Sequence, residues 1–316
     1  MPIYILCTNL ACGQRLEFAE DQAGQHASCL VCGNEIRVPS SGEMVGRQLG
    51  EFHILELLGK GAAGSVYRAR QIEEDCQFAI KILNPSLSRD DTLIKRFERE
   101  ARVTAQMNHS NIVRGHGIHR DSFFVFLVMD LVAGENVKDR LNRKGKLELR
   151  ETMKIALATV RALAHGQQHG LVHRDVKPAN IIIDETGAIK LADFGMARDE
   201  NDSIGLTTAG VNMGTPLYTA PEQARDARAV DHRSDIYALG VTLLHLLTGK
   251  HPFKATKSLN MQEIHGTERL PTGEALGTPL PPVLDALLGR MAAKQPADRY
   301  QDFTSLESDL EILIAR

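Results

Sequence analysis

The stretch HRDVKPANIIIDETGAIKLADFGMAR, residues 173–198, gathers Asp175, Lys177, Asn180 and Asp193 around a short apolar run. Carboxylates beside segments that must be buried are costly to hold unless protons or metal ions sit between them. Upstream, Gly59-Lys60-Gly61-Ala62-Ala63-Gly64 lets backbone N–H groups approach phosphate oxygens without obstruction by a Cβ. Alone, such a glycine pattern could also open a dinucleotide-binding unit or form a plain hairpin turn. Val66-Tyr67-Arg68-Ala69-Arg70 continues as a strand, which removes the helix N-terminus that dinucleotide binding needs. Four of the five cysteines lie in the first 32 residues, as Cys7-x4-Cys12 and Cys29-x2-Cys32.

These groups need elements to position them. FHILELLGKGAAGSVYRAR reads as two strands joined by a glycine-rich turn, and QFAIKIL (77–83) as a third strand carrying Lys81. SRDDTLIKRFEREARVTAQM (88–107) reads as a helix, with Ser88 and Asp91 as a capping box and Leu93, Phe97 and Ala101 at fourfold spacing. FFVFLVM (123–129) is a buried strand. TMKIALATVRALAHGQQHG (152–170) is an amphipathic helix stopping at Gly170, and SDIYALGVTLLHLLTG a core helix. NIIID and AIKLAD flank Glu185-Thr186-Gly187 as a hairpin. Strands come first and helices later, which predicts an α+β protein with a sheet-rich front lobe and a helical back lobe.

At 43% apolar and 24% charged residues, with a net charge of −3, the 316-residue chain has the composition of a globular protein with room for two lobes and a small module. That charge gives no support for a nucleic-acid or membrane-surface partner. The longest charge-free apolar stretch, IYALGVTLLHLLTG (236–249), is too short to span a bilayer, so an intracellular, cytoplasmic chain with no membrane segment is expected. Cys76 is expected to be a packed thiol of no special reactivity. His173 is expected to be a core histidine, and most of the other histidines surface or turn residues.

In their order and separation, the glycine loop, AIK (79–81), HRDVKPAN (173–180), DFG (193–195), APE (220–222), SDIYALG (234–240) and Arg299 resemble the signature set of protein kinases over residues 47–316. Lys177 and Pro178 resemble the Ser/Thr branch, and the wording GTPLYTAPEQ its bacterial members. The resemblance implies a bilobal protein-kinase fold, with an N-lobe over about 47–132 and a C-lobe over about 133–316. It implies transfer of the γ-phosphoryl of ATP to protein hydroxyls with Mg²⁺. Lys81, paired with Glu100, is then expected to hold the α- and β-phosphates beneath Gly59, Lys60, Gly61 and Gly64. Asp193 and Asn180 are the expected ligands of two Mg²⁺ ions. Asp175 is expected to accept the substrate hydroxyl's proton or to orient that hydroxyl, Lys177 to neutralise the γ-phosphate, and Thr215 to bond to both. Met129 bounds the adenine pocket, backbone groups of Asp130 and Val132 meet the adenine edge, and Val66, Ala79 and Ile182 sandwich its faces. Asp235 is expected to anchor the catalytic loop, and Glu222 to pair with Arg299. A phosphate on Thr207 or Thr208 could pair with Arg174 and order the segment between DFG and APE. A pseudokinase scaffold and a small-molecule kinase are the rival readings.

Residues 1–38 form a separate module, joined by PSSGEMVG (39–46) as a linker. Each cysteine pair is followed by a glycine, Gly13 or Gly33, which permits a tight turn aiming two sulfurs at one ion. Four such thiolates argue for structural Zn²⁺, with disulfides or uncommitted thiols as the alternative, and the module resembles a zinc ribbon. Its two basic residues, Arg15 and Arg37, face four acidic ones, Glu17, Glu20, Asp21 and Glu35, a net of −2 that is the wrong sign for nucleic acid. A protein-docking or regulatory role is expected.

Overall fold

The computed structural model describes residues 3–7, 9, 11–12, 14–39, 44–61, 64–83, 98, 101–103, 105–121, 124–194, 198–199, 217–225, 230–253 and 265–315. The backbone divides into two compact units, Met1–Ala105 with Gly115–Leu131, and Gln106–Arg114 with Val132–Arg316.

Alternating apolar residues build the first unit. Strands β1 (Ile3–Leu6) and β2 (Arg15–Phe18) pair as one hairpin, β3 (His26–Ser28) and β4 (Glu35–Arg37) as another. Ile3, Ile5, Leu16, Ile36 and Val38 close a small core around the buried Cys7 and Cys29. Six antiparallel strands follow: β5 (Gln48–Leu49), β6 (Phe52–Lys60), β7 (Gly64–Gln71), β8 (Gln77–Leu83), β9 (Gly115–Arg120) and β10 (Val125–Asp130). Their order is β5-β6-β7-β8-β10-β9. Strand β8 lies between β7 and β10, and its run from Ala79 to Leu83 is buried throughout. One face of the sheet packs Phe52, Ile54, Tyr67, Ala69, Ile80, Ile82, Phe126 and Val128 together. Because side chains alternate, Ala79, Lys81 and Leu83 take the other face, where Leu83, Val125 and Leu127 pack with Ala101.

Glu98, Ala101–Val103, Ala105 and Gln106 are helical, and the buried Ala101 supports the fourfold spacing read from the sequence. The capping box of Ser88 and Asp91 lies outside the described residues, as do Leu93 and Phe97. The expected strand over 123–129 is observed as Val125–Asp130. Met44, in the stretch read as a linker, is buried in the sheet's core, and an antiparallel bridge between Ile5 and Arg47 joins β1 to the entry of the sheet. Cys76 is exposed, contrary to expectation, because it sits in the β7–β8 turn with its thiol 3.5 Å from the Glu74 carbonyl.

The second unit is built on helices. Asn136 caps α1 (Val137–Lys144) by accepting from the Asp139 N–H, and Gly145 ends it at φ 77°. Helix α2 (Leu149–Gln168) stops where Gly170 turns left-handed at φ 70°. Short α3 (Pro221–Arg225) precedes α4 (His232–Thr248), which Asp231 caps and Gly249 ends. Helix α4 is buried almost along its whole length, as its unbroken apolar run requires. Gly240 lets α5 (Pro282–Met291) approach, since a Cβ there would lie 2.8 Å from the Met291 Cβ. Helix α6 (Phe303–Ala315) packs on α2, where Arg161 bonds Glu307 at 2.6 Å and Glu311 at 2.9 Å. Strands β11 (Gly134–Asn136), β13 (Ile181–Asp184) and β14 (Ile189–Leu191) form a three-stranded sheet, and β12 (Leu171–Val172) pairs with β15 (Arg198–Asp199). The expected hairpin is the β13–β14 pair, its turn closed by Asp184, which accepts from the Thr186 and Ala188 N–H groups. No helix among the described residues is long and apolar enough to cross a membrane.

Candidate active site

The loop after β12 is held from below. Asp235, on α4 and 2% exposed, accepts the His173 N–H at 2.8 Å and the Arg174 N–H at 2.7 Å, one on each carboxylate oxygen. Two successive N–H groups can aim at one carboxylate because Arg174 adopts φ 69°. Burial pushes the Asp235 carboxyl up, and the Arg174 and His173 N–H groups pull against it. The His173 ring is fully committed. Its Nε2–H donates to the Ala192 carbonyl at 3.0 Å while Nδ1 accepts the Asp175 N–H at 3.2 Å. One neutral tautomer satisfies both bonds, so His173 is the core histidine expected and is not placed as a base.

Next to that foundation lie the residues expected to carry the chemistry. The Lys177 Nζ donates to Asp175 Oδ2 at 2.6 Å. Asn180 Nδ2 donates to the Asp175 carbonyl at 2.8 Å and to Asp175 Oδ2 at 3.1 Å. Those bonds fix the amide's orientation and make Oδ1 the atom that Asn180 can offer a hard cation. Ala192 is tied twice, its N–H to the Asn180 carbonyl at 2.8 Å and its carbonyl to His173, so Asp193 follows directly from the Asp175 loop. Asp193 adopts φ 66°. Phe194, after it, packs edge-on against His173 at 4.6 Å, in space that exists because a Cβ on Gly166 would lie 2.9 Å from its ring. Asp175, Lys177 and Asn180 therefore form one hydrogen-bonded assembly within the second unit, and Asp193 follows Ala192, which is bonded to the Asn180 carbonyl. An amide and a carboxylate oxygen are the donor set that Mg²⁺ takes.

The residues expected to meet a nucleotide divide between the units. Gly59, Lys60, Gly61, Gly64, Val66, Ala79, Lys81, Met129 and Asp130 lie in the first, Val132, Asn180, Ile182 and Asp193 in the second. Lys81 is 9% exposed in mid-strand, with Val66 of β7 and Leu127 of β10 as its cross-strand neighbours. Its expected partner Glu100 lies outside the described residues, and Glu98, two positions earlier, is bound to Arg120 of β9. The glycines of the β6–β7 turn differ. A Cβ on Gly64 would come 2.1 Å from the Ile82 carbonyl oxygen, so Gly64 is demanded by the sheet; Gly59 has open space and Gly61 only an ordinary 3.5 Å neighbour. Two side chains here were missed. Leu58, 47% exposed immediately before Gly59, is an apolar group beside a polar turn, a signal visible in ELLGKG. His116 bonds Asp130 Oδ1 at 2.7 Å, a pairing across β9 and β10 that spacing does not reveal.

The segment entering α3 is anchored to the helices beneath it. Arg299, its side chain fully buried, grips Glu222 bidentately at 2.7 and 2.8 Å and also donates to the Ala293, Arg233 and Lys294 carbonyls. Burial pushes the Glu222 carboxyl up, but the Arg299 guanidinium and the Ser234 hydroxyl outweigh it and hold the group below the usual carboxylate range. Gln223 donates to the Arg174 carbonyl at 2.8 Å, linking α3 to the residue beside Asp175. Thr215, Thr207 and Thr208 lie outside the described residues. Three of the remaining histidines, expected to be mostly surface or turn residues, are grouped here. His245, His251 and His265 line the underside of this segment, and burial pushes both His245 and His265 down to about 4. His245, His251 and His265 follow no common period in the sequence, so only folding reveals their grouping.

In the small module the four cysteine Sγ atoms lie within 4.8 Å of one another. The Cys7–Cys32 pair is 3.5 Å apart and the Cys12–Cys29 pair 3.8 Å, far beyond a disulfide. Four sulfurs at about 2.3 Å from a tetrahedral Zn²⁺ would stand about 3.8 Å apart, so the cluster fits that ion. Gly33 at φ 72° donates its N–H to the Cys29 carbonyl and closes one turn; Gly13 lies outside the described residues. N–H groups of Cys32 and Val31 pull the Cys29 thiol down to about 7, whereas burial pushes Cys7 up to about 12.

Residues 52–308 match the family described as protein kinase domain. The serine/threonine-protein kinase PrkC of Bacillus subtilis is 34% identical over 269 residues, covering 85% of this chain and 41% of that protein. PknL of Mycobacterium tuberculosis, also a serine/threonine-protein kinase, is 35% identical over 256 residues, covering 81% and 64%. The chain spans about half the length of the curated relatives it matches. Among solved structures, a double mutant of the Mycobacterium tuberculosis PknI kinase domain superposes with a TM-score of 0.69 at 28% identity, covering 87% of this chain and 100% of that one.

Proposed function

The chain belongs to the protein kinase family, and from that premise we propose that it transfers the γ-phosphoryl group of ATP to serine and threonine hydroxyls of proteins. The observation that carries this reading is the Asp175–Lys177–Asn180 assembly, in which Lys177 and Asn180 each donate to Asp175 at 2.6 to 3.1 Å. Asp175 orients the acceptor hydroxyl and takes its proton. Lys177, already beside that carboxylate, supplies positive charge next to the transferring group, where charge stabilisation is most effective. Asn180 and Asp193 would hold Mg²⁺, which when bound would screen the phosphate oxygens. Lys81 binds the α- and β-phosphates, the N–H groups of Gly59 and Gly61 approach the phosphates, and Val66, Ala79, Met129 and Leu58 offer apolar contact to the base. Glu100 pairs with Lys81, and Thr215 bonds to Asp175 and Lys177. Phosphorylation of Thr207 or Thr208, paired to Arg174, activates the chain.

Residue 47 marks the start of the kinase domain, after a zinc-bound ribbon over 1–38 and a joining stretch over 39–46. The ribbon docks on a protein: its second cysteine turn carries Leu30 and Val31 at 97% and 68% exposure, above a module of net charge −2.

Mass spectrometry and radiolabel transfer after incubation with Mg·ATP and a generic protein acceptor test the reading. Asp175→Asn is expected to lower transfer by about 10²–10⁴-fold and to abolish phosphate on Thr207 and Thr208. A parent chain that transfers no phosphate is instead a pseudokinase scaffold, and a variant as active as the parent removes Asp175 from the chemistry.

A further inference from the structure

Between Leu217 and Glu222 the chain crosses a layer of buried polar side chains that phosphoryl transfer does not call for. His265 Nε2 lies 2.8 Å from the Leu217 carbonyl oxygen, and His265 Nδ1 lies 2.8 Å from the Tyr237 hydroxyl. The Lys294 Nζ lies 3.1 Å from the same hydroxyl. The two ends dictate the direction of every bond. A carbonyl only accepts and an ammonium only donates, so Lys294 donates to Tyr237, Tyr237 to His265 Nδ1, and His265 Nε2–H to Leu217. A neutral imidazole is the one side-chain ring that accepts on one nitrogen and donates on the other. The relay is dry: His265 is 1% exposed, Tyr237 is fully buried on α4, and Phe253 packs on the imidazole at 4.6 Å.

The relay is joined to the anchor already described. The Arg299 guanidinium that grips Glu222 lies over the Tyr237 ring, 4.9 Å from its centroid. Tyr237 thus supports both ends of the segment, Leu217 through His265 and Glu222 beside Arg299. Between these ends Leu217, Tyr218 and Thr219 remain partly exposed. Beyond them Gln223 holds the Arg174 carbonyl, next to Asp175. A displacement of Leu217 therefore moves exposed backbone two bonded contacts from the group that meets the acceptor hydroxyl.

We propose that His265 is a positioning residue for the protein acceptor: through Leu217 it sets the backbone over which the substrate's chain lies, without touching ATP. This rests on the kinase reading above. It assigns His265 a part in substrate recognition, which the bidentate Glu222–Arg299 pair alone does not supply, because that pair fixes only the far end of the segment.

Steady-state transfer from radiolabelled ATP to myelin basic protein, with acceptor and ATP varied separately, tests it. His265→Ala is expected to raise KM for the acceptor about fivefold, the scale of a lost buried hydrogen bond, with KM for ATP within about twofold of the parent. His265→Gln, which keeps a donor and an acceptor, is expected to restore most of the loss. Tyr237→Phe keeps the ring under Arg299 and removes only the hydroxyl, and is expected to match His265→Ala. Combined, the two changes are expected to do no more than either one, since they break one relay. Equal losses in kcat and both KM values that follow the melting temperature and are not rescued by glutamine would overturn the inference, as would unchanged acceptor kinetics. If His265→Ala does not fold, Tyr237→Phe decides by the same criteria. A parent chain that phosphorylates nothing overturns the kinase reading and the inference together, and is recognised before any variant is made.

Discussion

Three glycines in one turn perform two different tasks, and alanine substitution separates them. In Gly64→Ala the new Cβ would lie 2.1 Å from the Ile82 carbonyl oxygen, 3.0 Å from its carbon and 3.3 Å from the Leu83 Cα. All three are backbone atoms of the central strand β8, which β10 holds from its other side, so relief requires β7 to move by about 1 Å against its own ladder. Overpacking of that kind costs about 1–3 kcal/mol, and the fixed backbone places this case at the upper end. Gly59→Ala and Gly61→Ala meet no such neighbour, and neither glycine has a positive φ. There alanine narrows the unfolded ensemble and is expected to leave stability unchanged or raise it by about 0.4–1 kcal/mol. Denaturant unfolding without nucleotide, alongside KM for ATP, makes the comparison. Gly64→Ala is expected to lose about 2–3 kcal/mol of stability, and Gly59→Ala and Gly61→Ala to weaken ATP binding without that loss. Gly64→Ala unfolding at the parent's midpoint would refute the steric reasoning. Gly59→Ala with unaltered ATP kinetics would refute the assignment of that glycine to phosphate.

Glu222→Gln is expected to destabilise the second unit by about 3–5 kcal/mol, measured by urea unfolding, because it leaves the buried Arg299 guanidinium without its counter-charge. Stability is also expected to fall on acidification. Burial lowers His265 to about 4, so between pH 6.5 and 4 the unfolded chain binds a proton that the folded chain refuses; stability is full above 6.5 and declines through that window, by about 3 kcal/mol for His265 alone. Glu222, whose pKa is depressed, acts with the same sign at lower pH, its contribution being lost as the pH falls below the ordinary glutamate range. An unfolding free energy that is flat from pH 7 to about 4.5 would contradict the neutral assignment of His265. Zinc is expected to be released one ion per chain by a chelator, with loss of the β1–β2 and β3–β4 hairpins by NMR, whereas Cys76→Ser, outside the cluster, is expected to leave zinc content unchanged.

Much of the site was legible because its chemistry is local. Asp175, Lys177 and Asn180 lie within six consecutive residues, and a loop that short can bring them together whatever the rest of the chain does. The β13–β14 hairpin announced itself through Glu185-Thr186-Gly187, where Gly187 adopts φ 85°. Helix α4 was plain from an apolar run with no polar face, although its N-terminal Asp231 cap was not read. Pairings between distant residues were harder. Gly166 looks like an unexplained interruption of α2 until Phe194, 28 positions later, occupies the space above it. Gly64 reads as part of a phosphate loop, and the structure adds that β8 requires a glycine there whatever it binds.

The amino-acid sequence determined which reactive groups this protein carries and in what order, since residue type and short spacing dictate acid, base, cation ligand and turn. It also determined where strands give way to helices, because periodicity is a local property of the chain. The tertiary structure alone decided which buried polar atoms satisfy one another: His173 with Ala192, His265 with Tyr237 and Leu217, Gln223 with Arg174. Burial leaves such atoms no water to bond, so each must take whatever partner the packing brings, and packing joins residues that no short spacing relates.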